Sequence, residues 1–252
     1  MDITELRRNS INKRHPWEKA RAKIIRFLIQ KYNSSCTHIL DVGSGDAFVL
    51  SYLCSHKIGD LYIAVDTAYS KNIIESLTLT NNCSINYVQE LPESISPRSN
   101  CVLLLDVLEH CENDSEILNQ LHNEALTQSP IFFITVPAFQ CLFSKHDKLL
   151  GHYRRYNTKT IRQLCKRSGY DIVSSGYFFT SLFLIRAIQL VLEKFGMRKP
   201  LKTVDNWNGS PIITRLLSFF LWIDFITGRF LSMIGIQLPG LSTYCICRRL
   251  PS

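Results

Sequence analysis

The stretch HILDVGSGDAFVLSYL, His38 to Leu53, constrains this chain more than any other, because a β-prone run, two glycines one residue apart and a second apolar run follow one another without interruption. Ile39, Leu40 and Val42 read as a short buried parallel strand, and Phe48, Val49, Tyr52 and Leu53 fall at helical spacing. Strand, tight turn and helix in that order make a βα unit. Gly43 and Gly45 remove side chains where the backbone must turn and where a ligand can approach it. The unpaired N–H groups of the new helix face the same place.

The polar residues of the turn narrow the ligand. A dinucleotide turn carries a third glycine and sets a pyrophosphate on the helix N-terminus. Here Phe48 stands in the third-glycine place, and the turn holds Asp41 and Asp46. Two carboxylates repel a pyrophosphate and favour positive charge, which disfavours a nicotinamide dehydrogenase. S-adenosylmethionine, with an ammonium and a sulfonium, is the common nucleoside cofactor that fits. The run DLYIAVD then ends in Asp66, twenty-one residues past Gly45, where a carboxylate at the end of a second strand can accept hydrogen bonds from ribose hydroxyls. A third buried run, Val102 to Leu105, leads into Asp106, Glu109 and His110, at the carboxyl edge where doubly wound sheets bind ligands.

In order and spacing, ILDVGSGDA, AVD and LLLDVLEH resemble the class I S-adenosylmethionine-dependent methyltransferases, in the branch that modifies small molecules, lipids or glycans. The resemblance implies that Asp41, Gly43, Ser44 and Gly45 cradle the methionine portion and that Asp66 holds the ribose. It places Asp106, Val107 and Leu108 at the methionine side or the reacting centre. In YVQELPESI, Gln89 and Glu90 compete for the adenine amino group.

Strand-like runs recur at Ile39 to Val42, Leu61 to Val65, Ile85 to Val88, Val102 to Leu105 and Ile131 to Val136, with helical patterns between them. That alternation predicts an α/β fold with a parallel sheet covered on both faces. YDIVSSGYFF and LSTYCICRR read as two further strands, which by the resemblance form an antiparallel end. The expected fold is thus a doubly wound, Rossmann-like, seven-stranded sheet, mostly parallel with an antiparallel last strand, plus a C-terminal apolar helical insertion. An amphipathic helix within 1–35 (WEKARAKIIRFLIQKY) could close over the cofactor edge. The core is expected over 36–178, the apolar insertion over 179–240 and the last strand within 241–252. Helices are also expected in NDSEILNQLHNEAL, capped by Asn113 or Asp114, and in NTKTIRQLCKRSGY, from Asn157 or Thr158 to Gly169.

Between the fifth and sixth strands lies VPAFQCLFSKHDKLLGHYRRYN, rich in His, Asp, Arg and Tyr at a strand's carboxyl end. It also matches the signature of the resembling enzymes. His146, Asp147, Arg154, Arg155 and Tyr156 are expected to line the acceptor site, with His152 as general base and Arg154 or Arg155 holding an acidic group. His110, beside Asp106, is the second candidate for the base. The competing reading makes His146 and Asp147 a loop staple and leaves the arginines to the fold. No metal site is expected, since a set built from His146, Asp147 and His152 lacks supporting ligands.

Charge is segregated. Residues 1–33 hold nine Lys or Arg against three acids, residues 41–130 three against thirteen, and residues 131–252 seventeen against five. Basic flanks around an acidic cofactor half suit an anionic acceptor or an anionic membrane surface, or simply solvated helix faces. No aromatic-basic motif points to nucleic acid. The start has no apolar signal segment, and the nine cysteines show no CxxC spacing, so reduced, mostly buried thiols in the cytosol are expected. Cys245 and Cys247 would share one strand face.

Within 179–238, two very apolar helical stretches are interrupted by Arg186, Arg215, Asp224 and Arg229, so that neither offers about 20 uninterrupted apolar residues for a membrane span. With Trp222 and the basic flank EKFGMRKPLK they suggest an interfacial hairpin at the inner face of a membrane. A helical cap on the sheet or a dimer surface is the alternative. The functional expectation is methyl transfer from S-adenosylmethionine to a small-molecule, glycan or lipid-linked acceptor, at oxygen. The alternative is a non-catalytic protein of the same fold that binds the cofactor or a membrane.

Overall fold

The computed structural model describes residues 14–81, 83–91, 99–123, 130–195 and 207–249. Seven strands, β1 (His38–Val42), β2 (Leu61–Val65), β3 (Ile85–Val88), β4 (Cys101–Leu105), β5 (Ile131–Pro137), β6 (Tyr170–Phe178) and β7 (Ser242–Arg249), form one sheet in the order β3-β2-β1-β4-β5-β7-β6. β1 to β5 pair in parallel, and β7 runs antiparallel between β5 and β6. This is the doubly wound sheet that the apolar runs imply, with the antiparallel last strand that the resemblance implies. Its switch point lies between β1 and β4, where successive strands leave in opposite directions.

Strand periodicity divides the core in two. Ile39, Ala64, Cys101, Leu103, Phe133 and Ile246 pack on one face, and their neighbours Leu40, Ile63, Val102, Phe132 and Cys245 on the other. The first face is covered by α1 (Pro16–Tyr32), α2 (Phe48–Ser55) and α8 (Pro211–Met233). The second is covered by α4 (Asp114–Asn123) through Leu118 and Leu121, and by α6 (Thr158–Arg167) through Ile161 and Cys165. The remaining helices are α3 (Lys71–Thr80), α5 (Lys145–Leu149) and α7 (Thr180–Lys194).

Local chemistry starts these helices where it should. Pro16 opens α1, and the Glu18 carboxylate accepts the His15 N–H at 3.0 Å, a reciprocal cap. Asn157 caps α6 through the Thr160 N–H at 2.9 Å. Gly169, at φ +83°, follows its end.

Two expectations need correction. Cys54, in α2, and Cys83 are joined as a disulfide, so the thiols are not uniformly reduced. They lie 29 residues apart, with Cα atoms 6.3 Å apart, a proximity that only the packed chain creates. Secondly, Pro211–Met233 is a single helix of 23 residues, long and apolar enough to cross a bilayer by length and composition alone. Arg215, Asp224 and Arg229 interrupt the apolar run in the sequence without breaking the helix.

That helix packs by a narrow stripe. Thr214, Leu221 and Phe225 are buried, Trp222 and Phe225 meet Phe27 edge-on, and Arg229 donates to Tyr32 and Tyr244. Ile212, Leu216, Phe219, Phe220, Ile223 and Phe230 are exposed. Residues 1–13, the end of the expected acidic helix beyond Asn123, and most of the EKFGMRKPLK flank lie outside the described residues.

Candidate active site

The glycine turn is fastened to the end of β2. Gly43 and Ser44 donate backbone N–H groups to Val65 O at 2.8 and 3.0 Å, and Gly45 N–H donates to Asp66 Oδ2 at 2.9 Å. This brings Asp66 against the turn although twenty-one residues separate it from Gly45. Gly43 sits at φ +72°, and a Cβ there would come 2.6 Å from Val107 Cγ2, so only glycine fits between β1 and the turn after β4. Asp66 Oδ1 accepts Ala68 N–H at 3.0 Å. Both of its oxygens retain lone pairs for further donors.

Asp41 lies on the α1 face of β1, 2 % exposed. Ser44 Oγ donates to its Oδ2 at 2.8 Å, while Oδ1 has no hydrogen-bond partner. Burial pushes its carboxyl up to about 7.

Around these groups, at the carboxyl ends of β1 to β4, a groove of about 660 Å³ is lined by Gly43, Asp66, Glu90, Asp106, Val107 and His110 among others. Gln89 also lines it. Ser44 and Asp41 border a much smaller hollow behind the turn, together with Glu18 and Arg21. Leu108 is fully buried in the core under α4 and supports the turn rather than facing either space.

Asp106 ends β4 at φ +58°, an uncommon conformation for a residue with a side chain. It is held by its N–H on Thr135 O at 2.9 Å, by Thr135 Oγ1 on its Oδ1 at 3.0 Å, and by an ion pair with Arg21. Arg14, just before α1, pairs with Asp46 of the glycine turn. Neither arginine was among the expected site residues. The available signal was helical phase: Glu18 and Arg21 share the buried face with Ala22 and Ile25, where an unpaired charge would be costly.

A second cavity, of about 330 Å³, opens beside the first and shares Asp106, His110 and Leu150 with it. Its wall includes Trp17, Glu109, His146, His152, Phe179 and Leu182. His152 Nδ1 meets Asp147 Oδ1 at 3.1 Å, Arg155 Nε donates to the same oxygen at 2.7 Å, and Ser144 donates twice to Oδ2. Burial opposes ionisation of the fully buried Asp147, but the bonds from His152 and Arg155, with the Arg155 charge, outweigh it. The carboxyl is thereby held well below the usual carboxylate range. Burial lowers His146. Arg155 also donates to Ala138 O at 3.2 Å, so its guanidinium braces the loop from within the cavity wall.

Arg154 and Tyr156 do not line this cavity, contrary to expectation. Arg154 pairs with Asp114 at 2.9 Å and donates to Glu112 O, and the Tyr156 hydroxyl donates to Asp114 at 2.8 Å and Leu108 O at 3.2 Å. Both fasten the loop to the start of α4. Asp114 lies some forty residues away in sequence, so only the fold brings it to them.

Glu109, which sequence reasoning noted but did not include among the site residues, is 1 % exposed, and its Oε2 has no hydrogen-bond partner. Burial, then the neighbouring Asp106, raise its carboxyl well above the ordinary range. Ligand atoms of Glu109, His110 and His152 lie within 4.8 Å of one another, and the two imidazoles meet edge to face at 4.6 Å.

No family model matches the chain, and no curated protein matches its sequence. Solved structures share its fold. An S-adenosylmethionine-dependent methyltransferase from Archaeoglobus fulgidus superposes with TM-score 0.52 at 16% identity, over 92% of this chain and 97% of that one. The plantazolicin methyltransferase BamL, in complex with a triazolic desmethylPZN analog and SAH, gives 0.53 at 14% identity, over 92% and 84%. The [4+2]-cyclase SpnF gives 0.55 at 10% identity, over 97% and 86%. The chain therefore has the fold of the class I S-adenosylmethionine-dependent methyltransferases.

Proposed function

We propose that the protein transfers a methyl group from S-adenosylmethionine to an oxygen of a small-molecule, glycan or lipid-linked acceptor. One observation carries the reading: a nucleoside-sized groove and a second cavity adjoin at Asp106, His110 and Leu150, the arrangement that two substrates reacting with each other require. The same fold also serves a [4+2]-cyclase, so the reading rests on the site rather than on the fold.

The residues present fit the cofactor. Asp66 offers free lone pairs at the ribose position, and the orphaned Oδ1 of buried Asp41 awaits a donor or a cation. The methionine ammonium falls to Asp41 and Asp106, and its carboxylate to Arg21. The cofactor supplies a methyl group already activated on sulfur. The chain's own tasks are to align the acceptor, exclude water and dispose of the acceptor's proton. The closeness of Glu109, His110 and His152, with His152 held by Asp147, supports giving this cluster a part in the last task.

A lipid-linked acceptor and peripheral membrane contact are supported by the insertion. Phe179 and Leu182 wall the second cavity at the start of α7, and the same helix continues with exposed Leu184, Ile185, Ile188 and Val191. With the exposed row on α8 this makes an apolar surface that soluble proteins seldom leave uncovered.

Calorimetry should show S-adenosylmethionine and SAH binding, weakened at least tenfold by Asp66→Ala, a loss of about 1.4 kcal/mol. Tight NADH binding with no response to SAH would overturn the proposal. Transfer of labelled methyl from S-adenosylmethionine into the organic phase of a membrane extract would distinguish a lipid-linked acceptor from a water-soluble one.

A further inference from the structure

We propose that Glu109, His110 and His152 bind a divalent transition-metal ion in the wall between the two cavities, where the ion would take the acceptor's oxygen as a ligand. The three side chains come from the turn after β4 and the loop after α5, and their ligand atoms already lie within 4.8 Å of one another. The two segments are fixed together by the Tyr153 N–H on Glu109 O at 2.8 Å, so the cluster belongs to the fold rather than to a mobile loop.

Two independent features point to a cation. Glu109 is 1 % exposed, yet its Oε2 has no hydrogen-bond partner. A buried polar atom left unpaired is unfavourable, and a cation would relieve it. His152 is anchored through Nδ1 to fully buried Asp147, which leaves Nε2 as the nitrogen available for a ligand. A carboxylate behind a histidine is the usual support of a metal-binding imidazole, because it fixes the ring and raises its basicity.

Two imidazoles and one carboxylate suit Zn²⁺, Co²⁺, Mn²⁺ or Fe²⁺ better than Mg²⁺ or Ca²⁺, and three protein ligands leave positions open. The cluster borders both cavities through His110 and the second through Glu109 and His152. An ion there would lower the pKa of a bound hydroxyl, whose proton would pass to solvent, leaving the oxygen ready for methylation. This last role rests on the methyl-transfer reading. Binding of the ion does not.

The test uses the full chain, stripped with chelator and titrated with Co²⁺ and then Zn²⁺. One equivalent of Co²⁺ should bind with a visible d–d absorption and be displaced by Zn²⁺. Glu109→Gln and His152→Ala should each weaken Co²⁺ binding at least tenfold while SAH affinity stays within twofold, which also reports an intact fold. No stoichiometric Co²⁺ or Zn²⁺ uptake by the wild-type protein would overturn the proposal even if a variant fails to fold, and so would variants that bind as tightly as wild type. Ion binding without any SAH binding would remove the methyl-transfer reading and leave the ion site standing.

Discussion

Arg21 of α1 is ion-paired with Asp106 at the end of β4, which fastens the N-terminal helix to the residue where the two cavities meet. Their side chains are 9% and 27% exposed, so the pair is screened less than a surface one. With Arg14 on Asp46, α1 and the residues just before it deliver two cations to an otherwise acidic edge.

If Arg21 receives the methionine carboxylate, Arg21→Ala should weaken SAH binding at least tenfold. The affinity for 5′-methylthioadenosine, which lacks that carboxylate, should stay within twofold. Calorimetry with both ligands checks this. An equal loss for the two would mean that Arg21 serves only to dock the helix.

Asp41 links the proposed cofactor site to pH. Burial raises its carboxyl to about 7, above the roughly 3.9 of an unfolded chain. Its protonated form therefore contributes stability that is complete below about pH 4 and is lost as pH rises through about 7. A cationic ligand at the turn favours the carboxylate, so binding near pH 7 should release a proton. The binding enthalpy should differ between phosphate and Tris buffers, and Asp41→Asn should abolish the difference and flatten the stability profile between pH 4 and 7. Identical enthalpies in both buffers for the wild type would contradict this account.

Tyr156, 4 % exposed, uses its hydroxyl on Asp114 and Leu108 O. Tyr156→Phe should cost about 1–2 kcal/mol of stability, a fall in Tm of about 2–4 °C for each kcal/mol in a chain of this size. Arg154→Ala should leave the acceptor KM unchanged, since its partners are Asp114 and Glu112 O. A raised KM with normal stability would return Arg154 to the acceptor site.

The apolar face of α8 should carry the protein to anionic liposomes, less so at high salt. Phe219, Phe220 and Phe230 are exposed, whereas Trp222 packs on Phe27. Replacing the three phenylalanines by Ser should leave the protein soluble and abolish flotation without lowering Tm. An intact protein that never floats would favour a second copy or another protein on that face.

The sequence by itself determined what depends on neighbours along the chain. Short continuous apolar runs, glycines where the backbone must take positive φ, and an acid at the end of β2 specify βα units and the sheet edge where they turn, because these preferences act within a few residues. The places of Asp41, Gly43, Gly45 and Asp66 were legible for that reason, as was the antiparallel end of the sheet through its resemblance. Packing alone decided which charges meet. Arg21 found Asp106, Arg154 and Tyr156 turned to Asp114, Glu109 came against His152, and Cys54 met Cys83. Each pair spans 29 or more residues, and no local pattern encodes a partner at that distance. A buried charge settles on whichever group the completed fold brings beside it, because leaving it unpaired costs more than the choice of partner.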